Sequence, residues 1–150
     1  MTIAAEFETT IGRSSDAVFR ELAALERYPE WLVASGVVAV ERFDSPEPDG
    51  PTHLRIEQRV AGRSAVLEGI VTVFEPGRRL AFGASDRDGI RIEADAQLAA
   101  DGPLTRLRWS LRLTLPLRYR FFESMAAPRV REAAAADLER LRTRLESVAG

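Results

Sequence analysis

Six stretches with strand character follow one another at 37–43, 52–60, 65–74, 79–84, 89–99 and 104–115, and after the first link no connection exceeds four residues. That spacing decides the topology. A parallel crossover needs roughly a dozen residues or more, so short links force antiparallel neighbours and a meander. The links carry turn chemistry: Ala61-Gly62-Arg63, Glu75-Pro76-Gly77, Asp86-Arg87-Asp88-Gly89 and Asp101-Gly102-Pro103, with the longer Pro-rich stretch from Asp44 to Pro51 as the exception. A seventh strand opens the chain, where Ile3, Ala5, Phe7, Thr9 and Ile11 alternate with Glu6, Glu8 and Thr10.

Helical periodicity occurs in two places. Ser14 or Ser15 can cap a helix with Asp16 in its first turn and Val18, Phe19, Leu22 and Leu25 as its apolar stripe. Pro29 is expected to end it, with a second short turn through Trp31 and Leu32. From Arg118 to Ser147 the chain has no glycine and is dense in Ala, Arg, Glu and Leu, which predicts one helix of about 45 Å at about 1.5 Å per residue. Its predicted apolar stripe is Phe122, Met125, Ala126, Val130, Ala134, Leu138, Leu141, Leu145 and Val148, and Pro128 is expected to bend it.

A chain of 150 residues with 45% hydrophobic content suits one domain spanning 1–150. The net charge of −2 removes the basic field on which non-specific nucleic-acid binding relies, so nucleic acid is not an expected partner. With no cysteine and His53 alone, thiolate chemistry is excluded, and neither a metal site nor another cofactor is expected. No basic leader opens the sequence, and no stretch approaches the roughly 18 apolar residues of a membrane span, so the expectation is a cytoplasmic protein with no integral membrane segment. Self-association as a homodimer is left open.

One strand, two small helices, six antiparallel strands and a long terminal helix resemble the helix-grip fold of the START-like, or Bet v 1-like (SRPBCC), superfamily. The passages that carry the likeness are Ser15-Asp16-Ala17-Val18-Phe19 followed by Tyr28-Pro29-Glu30-Trp31, then Phe74-Glu75-Pro76-Gly77-Arg78-Arg79-Leu80, and the Asp137-Leu138-Glu139-Arg140-Leu141 run. Within that superfamily the chain looks like the polyketide cyclase/dehydrase-like subgroup. The resemblance implies an α+β fold in which a seven-stranded curved antiparallel sheet wraps around the C-terminal helix. It also implies a cavity between them, closed at one end by two short helices after the first strand. Tyr28 and Trp31 would then sit at the closed end or mouth, bordering both apolar ligand and water.

Strand alternation nominates the lining. Leu107, Trp109, Leu111, Leu113 and Leu115 share one face of the last strand, and Ile90, Ile92, Ala94, Ala96 and Leu98 share one face of the strand before it. Leu54, Ile56 and Val60 define another inner face, with Gln58 as the inward amide among them. The strand at 65–74 is ambiguous. One parity turns Ala65, Leu67, Gly69, Val71 and Val73 inward; the other turns Val66, Glu68, Ile70, Thr72 and Phe74 inward and buries the Glu68 acid. Trp109, Phe122 and Met125 read as core packing that doubles as cavity wall. His53 is read as solvent-facing, Asp86–Gly89 as a hairpin turn, and Arg118, Arg120, Arg129 and Arg131 as a charged helix face or an entrance for an anionic head.

Three functions compete. The first is a carrier enclosing a hydrophobic small molecule such as a lipid, isoprenoid or polyketide-like compound, with Tyr28, Trp31, Leu54, Ile56, Gln58, Ile92, Trp109, Leu111, Phe122 and Met125 as contacts. The second, implied by the resemblance, is a cyclase that needs an acid/base and a carbonyl-polarising donor, for which the inward surface offers only Gln58, Tyr28, Glu68 and an entrance arginine. The third is an interaction module with a collapsed interior.

Overall fold

In the computed structural model, which describes residues 2–48, 50–60 and 62–147, the chain forms β1 (Thr2–Ile11), α1 (Ser15–Ala23), a 3₁₀ turn (Leu25–Glu30), β2 (Val37–Asp44), β3 (Thr52–Val60), β4 (Arg63–Glu75), β5 (Arg79–Ser85), β6 (Arg91–Asp101), β7 (Leu104–Thr114), a second 3₁₀ turn (Leu117–Phe122) and α2 (Glu123–Ser147). The strands make one antiparallel sheet in the order β1-β7-β6-β5-β4-β3-β2. Each hairpin link pairs consecutive strands, as the link lengths require. The remaining pairing joins the first strand to the last, with Phe7 opposite Trp109 and Ile11 opposite Thr105.

α2 lies along β1 and closes the concave face. Arg131 donates from Nε to the carbonyl of Ala4 at 3.2 Å, the Arg13 guanidinium donates to the carbonyl of Leu145 at 2.9 Å, and Gly12 N–H donates to Glu146 at 3.4 Å. Helix and strand therefore run in the same direction along the sheet margin. The small helices are tied to the same rod, because Arg144 reaches Glu21 at 2.7 Å and Glu30 at 3.2 Å. This is a helix-grip fold.

Local chemistry explains the boundaries. The Ser14 hydroxyl accepts from the N–H of Ala17 and caps α1, whose buried residues Val18, Phe19 and Leu22 form the expected stripe. α1 ends at Ala23, well before Pro29, which sits inside the tighter 3₁₀ turn instead of terminating the α-helix. The terminal helix also differs from its sequence reading: residues 117–122 wind as 3₁₀, and the α-helix starts only at Glu123. Pro128 lies one turn inside it and deprives the Ser124 carbonyl of its helical donor, which weakens that first turn.

The core follows the concave face. Along its centre the side chains are small, with Ala84, Ala94 and Ala96 all buried and Gly69 beside them in β4, where a Cβ would come within 1.8 Å of the Gly83 carbonyl. That shallow floor leaves depth for large rings above it. Trp31, Trp109, Tyr28, Leu25, Leu107 and Leu141 are all almost wholly buried, each such side chain contributing about 1.5–3 kcal/mol by removal from water.

Candidate functional site

The four rings at the centre interlock, the two pairs that include Trp31 edge to face. Trp31 and Trp109 have centroids 5.6 Å apart at 67°, Tyr28 meets Trp31 at 5.1 Å and 66°, and Tyr28 lies 6.0 Å from Phe82. Three segments supply them: the 3₁₀ turn brings Tyr28 with Trp31 just beyond it, β5 brings Phe82, and β7 brings Trp109. The proline and two aromatics that follow α1 so closely are thereby explained. They drive a ring pair into the concave face and plug it.

Neither Tyr28 nor Trp31 borders water, contrary to expectation: both are buried, at 2% and 0% exposure. The Tyr28 hydroxyl is consumed locally, donating to the carbonyl of Leu22 at 2.6 Å, and burial, with the Glu21 carboxylate as a lesser cause, pushes its pKa up. The two indoles are different. Trp31 Nε1 and Trp109 Nε1 are buried and have no hydrogen-bond partner among the described residues. An indole N–H can only donate, and leaving one buried and unpaired costs about 1–3 kcal/mol.

Other nominated residues divide by position. Leu54 and Ile56 are buried on the concave face, and Ile92 and Leu111 pack partly buried against the same core. Gln58 does point inward but is committed, its amide donating to the Ser35 carbonyl at 2.6 Å. Glu68 is exposed on the outer face, because Leu67 and Gly69 take the inward positions opposite Ile56 and Leu54. Of the two parities the first holds for 65–71. A bulge between Val71 and Val73 then shifts the register, so that Phe74, still half exposed, lies against Phe19 with centroids 5.3 Å apart.

Phe122 and Met125 are exposed at 57% and 65%, so they belong to neither core nor concave face. The reason is positional. Arg131 meets Ala4 near the start of β1, and before that point the helix keeps Ala126, Ala127 and Val130 half-buried while the side carrying Phe122 and Met125 projects past the sheet. Buried helix positions begin only at Ala134. Val148 and the side chain of Val60 fall outside the described residues. His53 is exposed, and Asp86 closes the turn to Ile90 through its carboxylate, as the sequence reading has it.

One residue that sequence reasoning quoted without assigning a role proves central. Asp137 has no exposed surface, yet lies on the helix stripe between Ala134 and Leu138. Its oxygens accept from the N–H groups of Ala34 at 2.7 Å and Ser35 at 2.9 Å, and Arg140 pairs with it at 3.0 Å. Ser35 is the same residue whose carbonyl holds Gln58. A strap from α2 to β3 thus crosses the loop after Trp31 and fixes the plug in place.

Surface depressions lie elsewhere. One of about 300 Å³ on the outer face has Ala81 and Gly83 as its floor and paired charges at its rim, Arg79 with Asp95 at 2.7 Å and Arg91 with Glu93 at 3.0 Å. A second, of about 430 Å³, lies on the outside of α2 between Ala136 and Arg144. Among the described residues no group of acids and His53 is arranged to hold a metal ion, and no helix is long and apolar enough to cross a membrane.

A sheet closed on a terminal helix over an aromatic interior has known counterparts, and the family model for polyketide cyclase/dehydrase and lipid transport proteins matches residues 2–146. The chain belongs to that family. Its fold is shared with an aromatase/cyclase from Streptomyces sp. R1128, at 17% identity and TM-score 0.77 over 97% of this chain and 94% of the other. A START superfamily protein from Mycobacterium smegmatis aligns at 19% identity and TM-score 0.69 over 96% and 94%. A protein from Thermus thermophilus aligns at 18% and 0.77 over 98% and 99%. No curated protein matches. At these identities the neighbours establish the fold, and the family's breadth spans both transport and catalysis.

Proposed function

We propose that this family member binds a small, largely hydrophobic ligand carrying an oxygen acceptor, between the concave face of the sheet and α2, the packed rings of Tyr28, Trp31 and Trp109 shifting to admit it. The observation that carries the reading is the pair of buried, unpartnered indole donors, Trp31 Nε1 and Trp109 Nε1. Apolar walls reward removal of a greasy skeleton from water, and two donors with no acceptor among the described residues select a carbonyl or phenol oxygen on it. Tyr28, Leu54, Ile56, Gln58, Ile92 and Leu111 complete the lining in this reading; Phe122 and Met125 leave it.

Binding is favoured over cyclisation because the interior lacks an available acid or base among the described residues. Tyr28 is committed to Leu22, Gln58 to Ser35, the buried Asp137 carboxylate to Ala34, Ser35 and Arg140, and Glu68 faces outward. Enol-forming chemistry needs such a group within hydrogen-bond reach of the substrate.

Trp31 and Trp109 are the chain's two tryptophans, so intrinsic fluorescence excited at the indoles reports from the interior alone. Titration with benzophenone and with diphenylmethane, the same skeleton without the carbonyl, tests the reading. We expect both to perturb the emission, benzophenone binding about fivefold to tenfold tighter, as one net hydrogen bond provides. Absence of binding by either compound, or equal affinity for the two, overturns it.

A further inference from the structure

The overhanging segment from Leu115 to Arg131 is the molecule's most conspicuous exposed apolar surface. Leu117, Phe121 and Met125, spaced at i, i+4 and i+8, are 73%, 75% and 65% exposed, and Phe122 stands beside them. Among the described residues nothing covers them. The same seventeen residues hold four arginines and one glutamate, giving +3 on a chain whose net charge is −2. Arg118 and Arg120 lie against the rings of Tyr119 and Phe121, at 5.1 and 4.8 Å. Among the described residues no carboxylate pairs with Arg120 or Arg129, whereas the arginines of β6, β7 and the end of α2 are largely matched to acids.

We propose that this segment docks the protein on an anionic lipid surface, with Leu117, Phe121, Phe122 and Met125 entering the headgroup boundary and Arg120 and Arg129 facing the phosphates, while Arg118 is held by the carbonyl and carboxylate of Asp88. Charge complementarity selects that occupant: local positive charge is concentrated at the apolar residues and opposes the sign of the remaining chain. The shape agrees. The apolar residues are exposed on the 3₁₀ turn and the first turn of α2, which suits insertion into a deformable interface. The inference goes beyond ligand binding and stands whether or not the interior takes a ligand.

Flotation of the full chain with vesicles of phosphatidylcholine alone and of phosphatidylcholine mixed with phosphatidylglycerol tests it. The protein should float with the mixed vesicles, much less with the neutral ones, and release as salt rises. Arg120→Ala with Arg129→Ala should weaken partition by about thirtyfold, at roughly fivefold per arginine near the surface. Phe121→Ser with Met125→Ser should weaken it by at least about tenfold. All four positions are exposed, and circular dichroism of each variant checks that the fold is kept. Failure to float with the mixed vesicles overturns the proposal. So does flotation that the substitutions leave unchanged, or sedimentation showing that the same patch instead joins two copies of the chain, or binding of polyglutamate in place of vesicles.

Discussion

Asp137 on α2 accepts the backbone N–H of Ser35 at 2.9 Å, across 102 residues of sequence, while the neighbouring Ala34 N–H donates to its other oxygen. The loop that follows the aromatic plug is therefore anchored to the terminal helix by a carboxylate with no exposed surface. Replacing it leaves two backbone donors and Arg140 without their acceptor. Hydrogen bonds to charged groups are worth about 1.5–3 kcal/mol each, so Asp137→Ala should lower stability by about 3 kcal/mol, read as a reduced urea midpoint at unchanged slope. Asp137→Asn keeps one acceptor oxygen and should lose about half as much.

The same strap depends on a glycine. Gly36 has φ of 77°, in the left-handed region, and a Cβ there would lie 2.0 Å from the carbonyl oxygen of Arg59, whose own N–H donates to the Gly36 carbonyl at 2.7 Å. Backbone conformation and contact both oppose a side chain. Gly36→Ala should therefore cost more than the roughly 1–2 kcal/mol of left-handed strain alone, and thermal unfolding should record it. Combined with Asp137→Ala the losses should fall short of additive, since both changes release one loop.

Tyr28 makes stability fall in alkali. Burial raises its folded pKa above the unfolded value of roughly 10, so above that pH the unfolded state loses its phenolic proton while the folded state retains it. The unfolded state then binds fewer protons, and the free energy of unfolding decreases as pH rises. Contribution from this residue is fully present below about pH 10 and declines above it. Denaturation midpoints measured from neutral to strongly alkaline pH should show that limb, and Tyr28→Phe should flatten it. The substitution should also cost about 1 kcal/mol at neutral pH, because the Leu22 carbonyl loses its donor.

Much of this architecture was legible because strand and helix periods are local properties. Leu107, Trp109 and Leu111 announce their face through plain alternation with arginines, and the short links dictate antiparallel pairing. β4 resisted because it is apolar on both faces: Val66 and Ile70 are exposed, Leu67 is buried, and the bulge after Val71 changes parity within the strand. No single alternation describes it. Asp137 was hidden for a different reason. A carboxylate on an apolar stripe reads as a solvated interruption until its partners, two backbone N–H groups about a hundred residues away, are brought to it. Phe122 and Met125 carry the right spacing for burial, but spacing cannot reveal that the sheet ends beneath them.

Trp109 offers the sharpest separation of packing from recognition. Trp109→Phe removes both ring volume and the unpartnered donor, so the free protein should lose about 1–3 kcal/mol from the void left beside Trp31. Affinity for diphenylmethane should follow only the packing change. Affinity for benzophenone should fall a further fivefold or so, because the carbonyl has lost the Trp109 donor. Glu68→Gln, on the exposed outer face, should leave both affinities unchanged and stability within about 0.5 kcal/mol. Fluorescence of the remaining Trp31 reads the affinities in Trp109→Phe, and that of both indoles reads them in Glu68→Gln. Were benzophenone and diphenylmethane to weaken in parallel in Trp109→Phe, the indole would be filling space and its N–H would have no part in choosing the ligand.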